Sequence, residues 1–561
     1  MKGDRMMTLR KGLLFALVCL LVLLVAAGAA LAKTPTRVLI VVMDQMRPEY
    51  ATQFDMTNVL WLQDQGVDFA NAYVGAMASE TVVSHNVMMS GLLPKNMGWS
   101  DEVLRDTDNV LGYGAGAIVT VGDLSYDQYV QLIEARGYPK LGDYMHAAFP
   151  GSTVANFGQK KYQVNSTAAS SSDYWAFMGS TKDTPTAFPW LPILPWAGKY
   201  RGPDGNVPWY IADDNRFNIS SGNASDTYGT KVDQPAWLYP EDGRYAPGPY
   251  PLHKSGDAWV ADAAIKVMTF DRNWSALHLN FSGIDKIGHM WGGGPVDTYW
   301  DPSSPNNQVH MKFIAKNADN QLGRVIDALK CLGQLDETLI VVLADHASTY
   351  AQTAAYVDAA GGGNQSWYYD PNSVAANTTY GRPGANNEAV LGPLNATGNV
   401  AYSYQSTAIE TWLIDQSWSR KLAAAKTMAT LPGVIATYVK SERWDRYVLT
   451  CSRTSTRMNG SELLWWLLHG QELVNTMAFA GSADVVGLLA DKTSYGVFGD
   501  HGGAQKDVQS IPMVMYNPSI SCSVDNSRIR LVDVMPTVLR TMGIPLVAPV
   551  DGRAYRLPER H

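Results

Sequence analysis

The chain has 561 residues, of which 46% are apolar and 17% are charged, and its formal net charge is −8. This length allows one large domain with insertions, or two to three smaller domains. The thinly spread negative charge and the lack of long basic runs argue against a nucleic-acid polymer as a partner, so any bound phosphate must be attracted by local cations.

The N-terminus has the pattern of a secretory signal peptide. Basic residues precede an uncharged stretch from 13 to 30, and Ala30-Leu31-Ala32 has the small-x-small form of a signal peptidase site. We expect residues 1–32 to be removed and the mature chain to be secreted or periplasmic. The alternative is an uncleaved membrane anchor with the rest outside the cytoplasm, because no later segment is apolar and long enough to span a bilayer.

The cysteines beyond the signal are Cys331, Cys451 and Cys522. In an oxidising compartment one pair can form a disulfide, and the spacing leaves the pairing open. The absence of CxxC spacing argues against a thiolate metal site.

Short apolar runs alternate with amphipathic stretches along the chain. Runs of Val, Ile and Leu predict strands that are buried on both faces, and their alternation with helices predicts an α/β fold with a largely parallel central sheet between helices. The predicted strands, with the polar residues that follow them, are Val38–Met43 before Asp44, Leu277–Phe281 before Asp285, Leu339–Leu343 before Asp345-His346, and Tyr495–Phe498 before Asp500-His501. The predicted helices are Met56–Gln65, Asn317–Leu329, Ser461–Leu473 and Ile529–Met542.

Two regions interrupt this alternation. Residues 180–256 are dense in Trp, Tyr, Pro and Gly, and residues 350–405 are rich in Gly, Asn and Ala and resemble loops. We therefore predict one catalytic domain over 33–561 with loop-rich insertions at about 180–256 and 350–480 that form a cap. The aromatic insertion could stack on a base, cage a choline group, or simply pack as the core of a lid.

The polar residues after the predicted strands have the chemistry of metal ligands. A single Asp or Asp-His pair suits a helix cap or an ion pair equally well, but ligands gather at the carboxyl ends of strands in such sheets. Asp285 and His289 are four residues apart, so on a helix they would face the same way and could share one ion. Carboxylates and imidazoles without thiolates favour catalytic zinc, and two ions about 4 Å apart would suit a phosphoryl group.

The segment from Ser79 to Ser90 predicts a short helix with hydroxyl residues at its start, ended by Gly91-Leu-Leu-Pro94. The free N–H groups of a helix N-terminus attract phosphate, and contact with a metal makes a hydroxyl a usable nucleophile. Ordinary N-capping is the alternative role for such hydroxyls. Local reasoning leaves Ser79, Thr81 and Ser84 as candidates.

Taken in chain order, these motifs resemble the alkaline phosphatase superfamily, and within it the branch similar to nucleotide pyrophosphatases/phosphodiesterases. The resemblance covers about Arg37 to Ile544 and implies Thr81 as the nucleophile, ten residues before the Gly of the Gly-Leu-x-Pro stretch. It implies two zinc ions, although other divalent ions are possible. One ion would be held by Asp285, His289 and His501, and the other by Asp44, Thr81, Asp345 and His346; Asp500 is outside the set.

The sequence departs from the family pattern at one position. Glu102 stands where the family usually has an Asn that donates to a phosphoryl oxygen, and a carboxylate there would repel phosphate unless it is protonated, turned away or bound to a cation. A shifted alignment brings Asn96 or Ser100 to this position. Monoester-specific relatives often carry a basic residue after the next strand, and Lys160 and Lys161 are the candidates here. The alternative is that these two lysines are a solvated basic pair in a loop.

These features predict an exported two-zinc enzyme that hydrolyses phosphodiesters or pyrophosphate-type bonds of small molecules through a phospho-threonine intermediate. One alternative is a phosphate monoesterase. Another is a non-catalytic binding protein that retains the fold. Sulfate esters are a weaker prediction, since the sequence lacks the Cys/Ser-x-Pro-x-Arg pattern that sulfatases require.

Overall fold

The computed structural model describes residues 34–177, 255–291, 306–349, 391–431, 433–453, 458–491, 493–495 and 499–560. The predicted signal peptide and nearly all of the aromatic insertion lie outside these residues. Within them, no helix is both long and apolar enough to cross a membrane.

The described strands belong to three sheets. They are β1 (Arg37–Met43), β2 (Val67–Phe69), β3 (Val103–Asp106), β4 (Ala117–Thr120), β5 (Thr153–Gly158), β6 (Tyr174–Phe177), β7 (Trp274–Phe281), β8 (Thr338–Leu343), β9 (Val400–Gln405), β10 (Ala408–Leu413), β11 (Val434–Ser441), β12 (Arg446–Ser452), β13 (Val485–Leu489), β14 (Met513–Tyr516) and β15 (Ser523–Asp525).

The described α-helices alternate with many of these strands. They are α1 (Tyr50–Gln53), α2 (Thr57–Gln65), α3 (Thr81–Ser90), α4 (Pro94–Met97), α5 (Tyr126–Arg136), α6 (Leu141–Ala148), α7 (Lys161–Ala168), α8 (Ser255–Phe270), α9 (Gly283–Trp291), α10 (Asn306–Cys331), α11 (Trp418–Met428), α12 (Gly460–Asn475), α13 (Lys506–Gln509) and α14 (Val534–Thr541).

The central sheet has the order β15-β2-β14-β8-β1-β7-β5-β6. Its five strands from β8 to β6 are parallel, and β14 pairs antiparallel with β8. Strands β1 and β8 are wholly apolar apart from their first residues and almost entirely buried, as expected for strands covered on both faces. The predicted α/β fold with a largely parallel central sheet is therefore confirmed.

A second, antiparallel sheet has the order β12-β11-β13-β10-β9. It occupies much of the region predicted as the second insertion, and its last strand, β13, lies beyond residue 480. Residues 350–405 were predicted to resemble loops, and this prediction is wrong for the C-terminal part of the range. Residues 391–395 are helical and 400–405 form β9. The alternating Tyr-Ser-Tyr-Gln at the end of β9 is typical of a half-exposed strand, despite the Gly- and Asn-rich sequence before it.

The helix predictions agree in place and differ in extent. Helix α2 ends before Gly66 and α12 continues through Gly470, as expected. Helix α10 is twice as long as predicted, while the closing helix is split into a 3₁₀ turn at Leu531–Asp533 followed by α14. Pro536 lies in the first turn of α14, where its missing N–H costs nothing.

The strand predicted at Tyr495–Phe498 is wrong for Tyr495, the one residue of this run that the structure describes. Tyr495 lies in irregular chain, residues 496–498 lie outside the described residues, and the preceding strand is β13 of the second sheet. His501 therefore reaches the site from irregular chain rather than from a strand of the central sheet. The short apolar run could not distinguish a strand from buried loop.

The thiols of Cys331, Cys451 and Cys522 are all free and exposed. The possible disulfide among them is not formed.

Candidate active site

Two neighbouring strands place carboxylates and an imidazole at one edge of the central sheet. Asp44 follows β1, and Asp345 and His346 follow β8, which is paired with β1 in parallel. All three side chains are completely buried. Parallel strands end at the same edge, so the sheet itself brings these groups together.

Helix α9 contributes the next two groups. Asp285 lies in its first turn and His289 four residues later, with Asp285 Oδ1 3.1 Å from His289 Nε2. The helix starts directly after β7, the other neighbour of β1. The predicted shared face of this pair is therefore present.

Thr81 is the first residue of α3, a helix whose ten residues are all buried. The helix ends at Gly91, which has a φ of +68° that suits glycine. The residue at the N-cap is Glu80, and its side chain does not cap the helix. Ordinary hydroxyl capping is thus not what Thr81 does, and its Oγ1 lies 3.2 Å from His346 Nε2.

One group of metal-capable atoms consists of Asp285, His289 and His501. The His501 and His289 Nε2 atoms are 3.2 Å apart, and His501 Nε2 is 3.5 Å from Asp285 Oδ1. Ligands about 2.0–2.1 Å from a tetrahedral zinc stand about 3.3 Å from one another. These three residues therefore fit one side of a zinc coordination shell.

A second group converges on His346 Nε2. Besides Thr81 Oγ1, this nitrogen has Asp345 Oδ2 at 3.5 Å and Asp44 Oδ1 at 3.7 Å. Asp44 Oδ1 accepts no hydrogen bond among the described residues, which leaves it available to an ion. The His346 and His501 rings stack with centroids 3.7 Å apart, so the two groups are adjacent. The structure thus brings all seven predicted ligands together, while Asp500 instead accepts a hydrogen bond from Ser494 Oγ.

Lys160 and Lys161 have different surroundings. Lys160 is 6% exposed, and its Nζ lies 2.9 Å from Asp44 Oδ2, 2.7 Å from Asp285 Oδ2 and 2.9 Å from Thr81 Oγ1. It precedes α7, which packs against α3. Lys161 is exposed and lies outside the site, so only the first of the two predicted basic residues reaches Thr81.

The buried charges change one another's ionisation. Burial raises the pKa of Asp44 well above its usual range, with Asp345 adding to the effect and Lys160 opposing it. Burial lowers the pKa of His346 to about 3, so its imidazole is neutral near pH 7 and its nitrogen can bind a metal. At His501 burial acts in the same direction, but Glu80 and Asp285 outweigh it and hold the pKa of this imidazole well above its usual range. The site therefore combines crowded carboxylates, which need positive charge, with a neutral His346 imidazole that has a free lone pair.

Glu102 lies beside this centre and is half-buried. Its carboxyl group accepts a hydrogen bond from the backbone N–H of Val82 at the start of α3. Burial raises its pKa, while His501 and Lys160 lower it. A carboxyl group therefore occupies part of the helix N-terminus where a phosphoryl oxygen was expected.

Several residues of the site were given no role from sequence. Glu80 Oε2 lies 2.7 Å from His501 Nδ1, and burial raises the pKa of Glu80 to about 8, although His501 opposes this effect. His85 belongs to the Thr81-x-x-x-His85 motif, and its Nε2 lies 3.3 Å from Asp345 Oδ2. Asn280 donates to Asp44 Oδ2. The i, i+4 spacing of His85 from Thr81 was a usable signal, whereas Asn280 required the pairing of β7 with β1.

Comparisons with known proteins agree with this fold. The family model described as type I phosphodiesterase / nucleotide pyrophosphatase matches residues 38–360, which is more than half of the chain. No curated protein matches the sequence.

Two solved structures show the likeness in fold. Wild-type alkaline phosphatase PafA is 13% identical over 91% of this chain and 96% of its own, with a TM-score of 0.57. An inactive murine ectonucleotide pyrophosphatase / phosphodiesterase 5 in complex with AMP is 11% identical over 92% of this chain and 97% of its own, with a TM-score of 0.50. The matched residues include six of the seven predicted ligands. The chain belongs to the type I phosphodiesterase / nucleotide pyrophosphatase family.

Proposed function

We propose that the chain is a two-zinc phosphoesterase in which Thr81 attacks phosphorus and becomes transiently phosphorylated. The observation that carries this proposal is the position of the Thr81 hydroxyl, which stands at a buried helix N-terminus and contacts both His346 and Lys160. A phosphate placed there would meet a nucleophile, a cation and the positive end of α3. Family membership supports hydrolysis of a phosphodiester or pyrophosphate bond.

The donor set fits zinc. The first ion would be held by Asp285, His289 and His501, which form one metal-capable group. The second would be held by Asp44, Thr81, Asp345 and His346, because oxygens of the first three lie within 3.7 Å of His346 Nε2. Bound zinc supplies positive charge to the phosphoryl oxygens and makes a contacting hydroxyl easier to deprotonate.

The chain's own groups account for the bond changes. Thr81 Oγ1 loses its proton and forms a bond to phosphorus while the bond from phosphorus to the leaving oxygen breaks, and the departing oxygen takes up a proton. Water then cleaves the bond between Oγ1 and phosphorus: its oxygen joins phosphorus and one of its protons returns to Oγ1. This step restores the hydroxyl and releases a phosphate monoester from a diester substrate, or inorganic phosphate from a monoester. The buried start of α3 holds the phosphoryl group in place throughout.

Phosphodiesters and pyrophosphate-type bonds of small molecules are the first substrate class. A nucleotide-like ester is consistent with the AMP bound to the murine relative. We also propose that the protein is exported, on the basis of the signal pattern in residues 1–32.

Phosphate monoesters are the second candidate, and the position of Lys160 favours them. A monoester carries a more highly charged phosphoryl group than a diester, so it gains more from a buried ammonium beside Thr81. Glu102 favours the third candidate, a non-catalytic binding protein, because a carboxylate near phosphate is unfavourable. The convergence of seven residues with metal-binding side chains argues against this loss of catalysis.

The direct test of the proposed function is metal content followed by substrate comparison. We expect two zinc ions per chain, and a faster rate on a bis-nitrophenyl diester than on the matching monoester. A faster monoester rate would select the second candidate. A chain that binds no metal and hydrolyses neither substrate would contradict a phosphoesterase and support the binding protein.

Replacing Thr81 with Ala should lower kcat by about 10,000-fold or more, because the covalent step loses its nucleophile. Both zincs should remain largely bound, which can be checked from metal per chain. Thr81→Ser is the matched control, since it keeps a hydroxyl and should retain measurable turnover. A Thr81→Ala enzyme with wild-type rates would refute the nucleophile.

Lys160→Met should lower kcat/KM for a monoester by about 10- to 100-fold, because the buried ammonium near the phosphoryl oxygens is lost. The diester rate should fall less, since its phosphoryl group carries less charge. Lys161→Met removes the adjacent, exposed charge and should leave both rates unchanged. Equal losses in the two lysine variants would show that Lys160 has no special place at the phosphoryl group.

Glu102→Gln should strengthen inhibition by inorganic phosphate about 10-fold, because a repelling carboxyl group becomes an amide that can donate. The inhibition constant of phosphate measures this directly. Glu134→Gln makes the same charge change at an exposed position of α5 and should have no effect. Unchanged or weaker phosphate binding in Glu102→Gln would mean that Glu102 does not oppose the substrate.

A further inference from the structure

His501 differs from the other predicted ligands in how the chain holds it. Asp44, Asp345 and His346 follow strands of the central sheet, and Asp285 and His289 share α9. His501 comes from irregular chain that follows a strand of the second sheet. Its ring therefore needs other contacts to keep one orientation.

The strongest of these contacts is with Glu80. Oε2 of Glu80 lies 2.7 Å from Nδ1 of His501, and the two residues are 2% and 6% exposed. Glu80 occupies the N-cap of α3, where Ser, Thr, Asp or Asn commonly accepts from the helix's own N–H groups. Here it makes no capping hydrogen bond and is directed to the imidazole instead.

The surroundings of Glu80 hold its carboxyl group in place. Tyr404, on β9 of the second sheet, donates its hydroxyl to the other oxygen, Oε1, at 3.3 Å. Gly502 has a φ of +91°, and a Cβ at this position would collide with Oε1, so only glycine allows the close approach. The backbone N–H groups of Gly502 and Gly503 donate to Ser79 Oγ. These hydrogen bonds connect the segment that carries His501 to the residues before Thr81.

This contact determines which ring nitrogen faces the predicted metal group. With Nδ1 held 2.7 Å from the carboxyl group of Glu80, Nε2 is the ring nitrogen that faces the predicted metal group. That nitrogen lies 3.2 Å from His289 Nε2 and 3.5 Å from Asp285 Oδ1. Carboxylates that accept from the second nitrogen of a ligand histidine fix its tautomer and strengthen its binding to metal.

We propose that Glu80 is a positioning residue that orients His501 for the ion held by Asp285, His289 and His501. The inference rests on the proposed two-zinc function. Glu80 is adjacent to Thr81, so one short segment at the start of α3 carries the nucleophile for one ion and orients a ligand of the other. Movement of this segment would change both groups together.

The test compares zinc affinity among variants by equilibrating each protein against graded concentrations of a chelator. The wild type should hold two zincs per chain. In Glu80→Ala, one zinc should bind about 10- to 100-fold more weakly than in the wild type. The affinity for the other zinc should stay within about threefold of the wild-type value. Glu80→Gln keeps an oxygen that can accept from Nδ1 and should fall between these two.

Glu410→Gln is the matched control. Glu410 is a buried acid on β10 whose pKa is raised well above its usual range by burial, with Asp101 and the nearby Glu80 adding to the effect. It makes no hydrogen bond to a predicted ligand among the described residues. Its variant should bind zinc as the wild type does. Equal weakening by Glu410→Gln and Glu80→Gln would mean that any buried acid in this region affects zinc binding, and would overturn the proposal.

Two further outcomes separate this inference from the proposed function. Two zincs in the wild type with unchanged affinities in the Glu80 variants would overturn only the role of Glu80. A wild type that binds no zinc would overturn both. Circular dichroism of the metal-free proteins checks that each variant is folded. If Glu80→Ala is unfolded, the zinc affinities of Glu80→Gln and Glu410→Gln are compared instead.

Discussion

The site depends on the crowding of three buried carboxylates, Asp44, Asp285 and Asp345, at one edge of a parallel sheet. Carboxylates in such a place are costly unless cations or hydrogen bonds compensate them. Lys160 supplies one positive charge and contacts two of the three acids, and imidazoles border the remaining oxygens. The need for further positive charge is the physical reason why this arrangement suits metal ions and, through them, a phosphoryl group.

The fold meets this need by assembling the groups from separate supports. Strands β1 and β8 hold Asp44, Asp345 and His346 next to one another. Helix α9 carries Asp285 and His289. Helices α3 and α7 pack on each other and so bring Thr81 and Lys160 together. The second sheet also takes part, since Tyr404 contacts Glu80. The surroundings of Glu80, the residue before Thr81, therefore come from both sheets.

Much of this architecture could be predicted from sequence. Buried apolar runs identified β1, β7 and β8, and the polar residues that follow them were predicted to meet because parallel strands end at one edge. The failures have specific causes. The run at Tyr495–Phe498 was too short to distinguish a strand from buried loop. Strand β9 of the second sheet lies in the range whose Gly and Asn residues suggested loops. Glu80 had no sequence signal, because its partner His501 is more than 400 residues away.

The central claim is that two zinc ions occupy the two converging groups around Thr81. A crystal structure of the zinc-loaded protein, with anomalous data collected at the zinc edge, tests it most directly. The account predicts two peaks about 4 Å apart, one bounded by Asp285, His289 and His501 and the other by Asp44, Thr81, Asp345 and His346. A zinc-saturated crystal without a peak between these residues, and with Lys160 still joining Asp44 to Asp285, would contradict it.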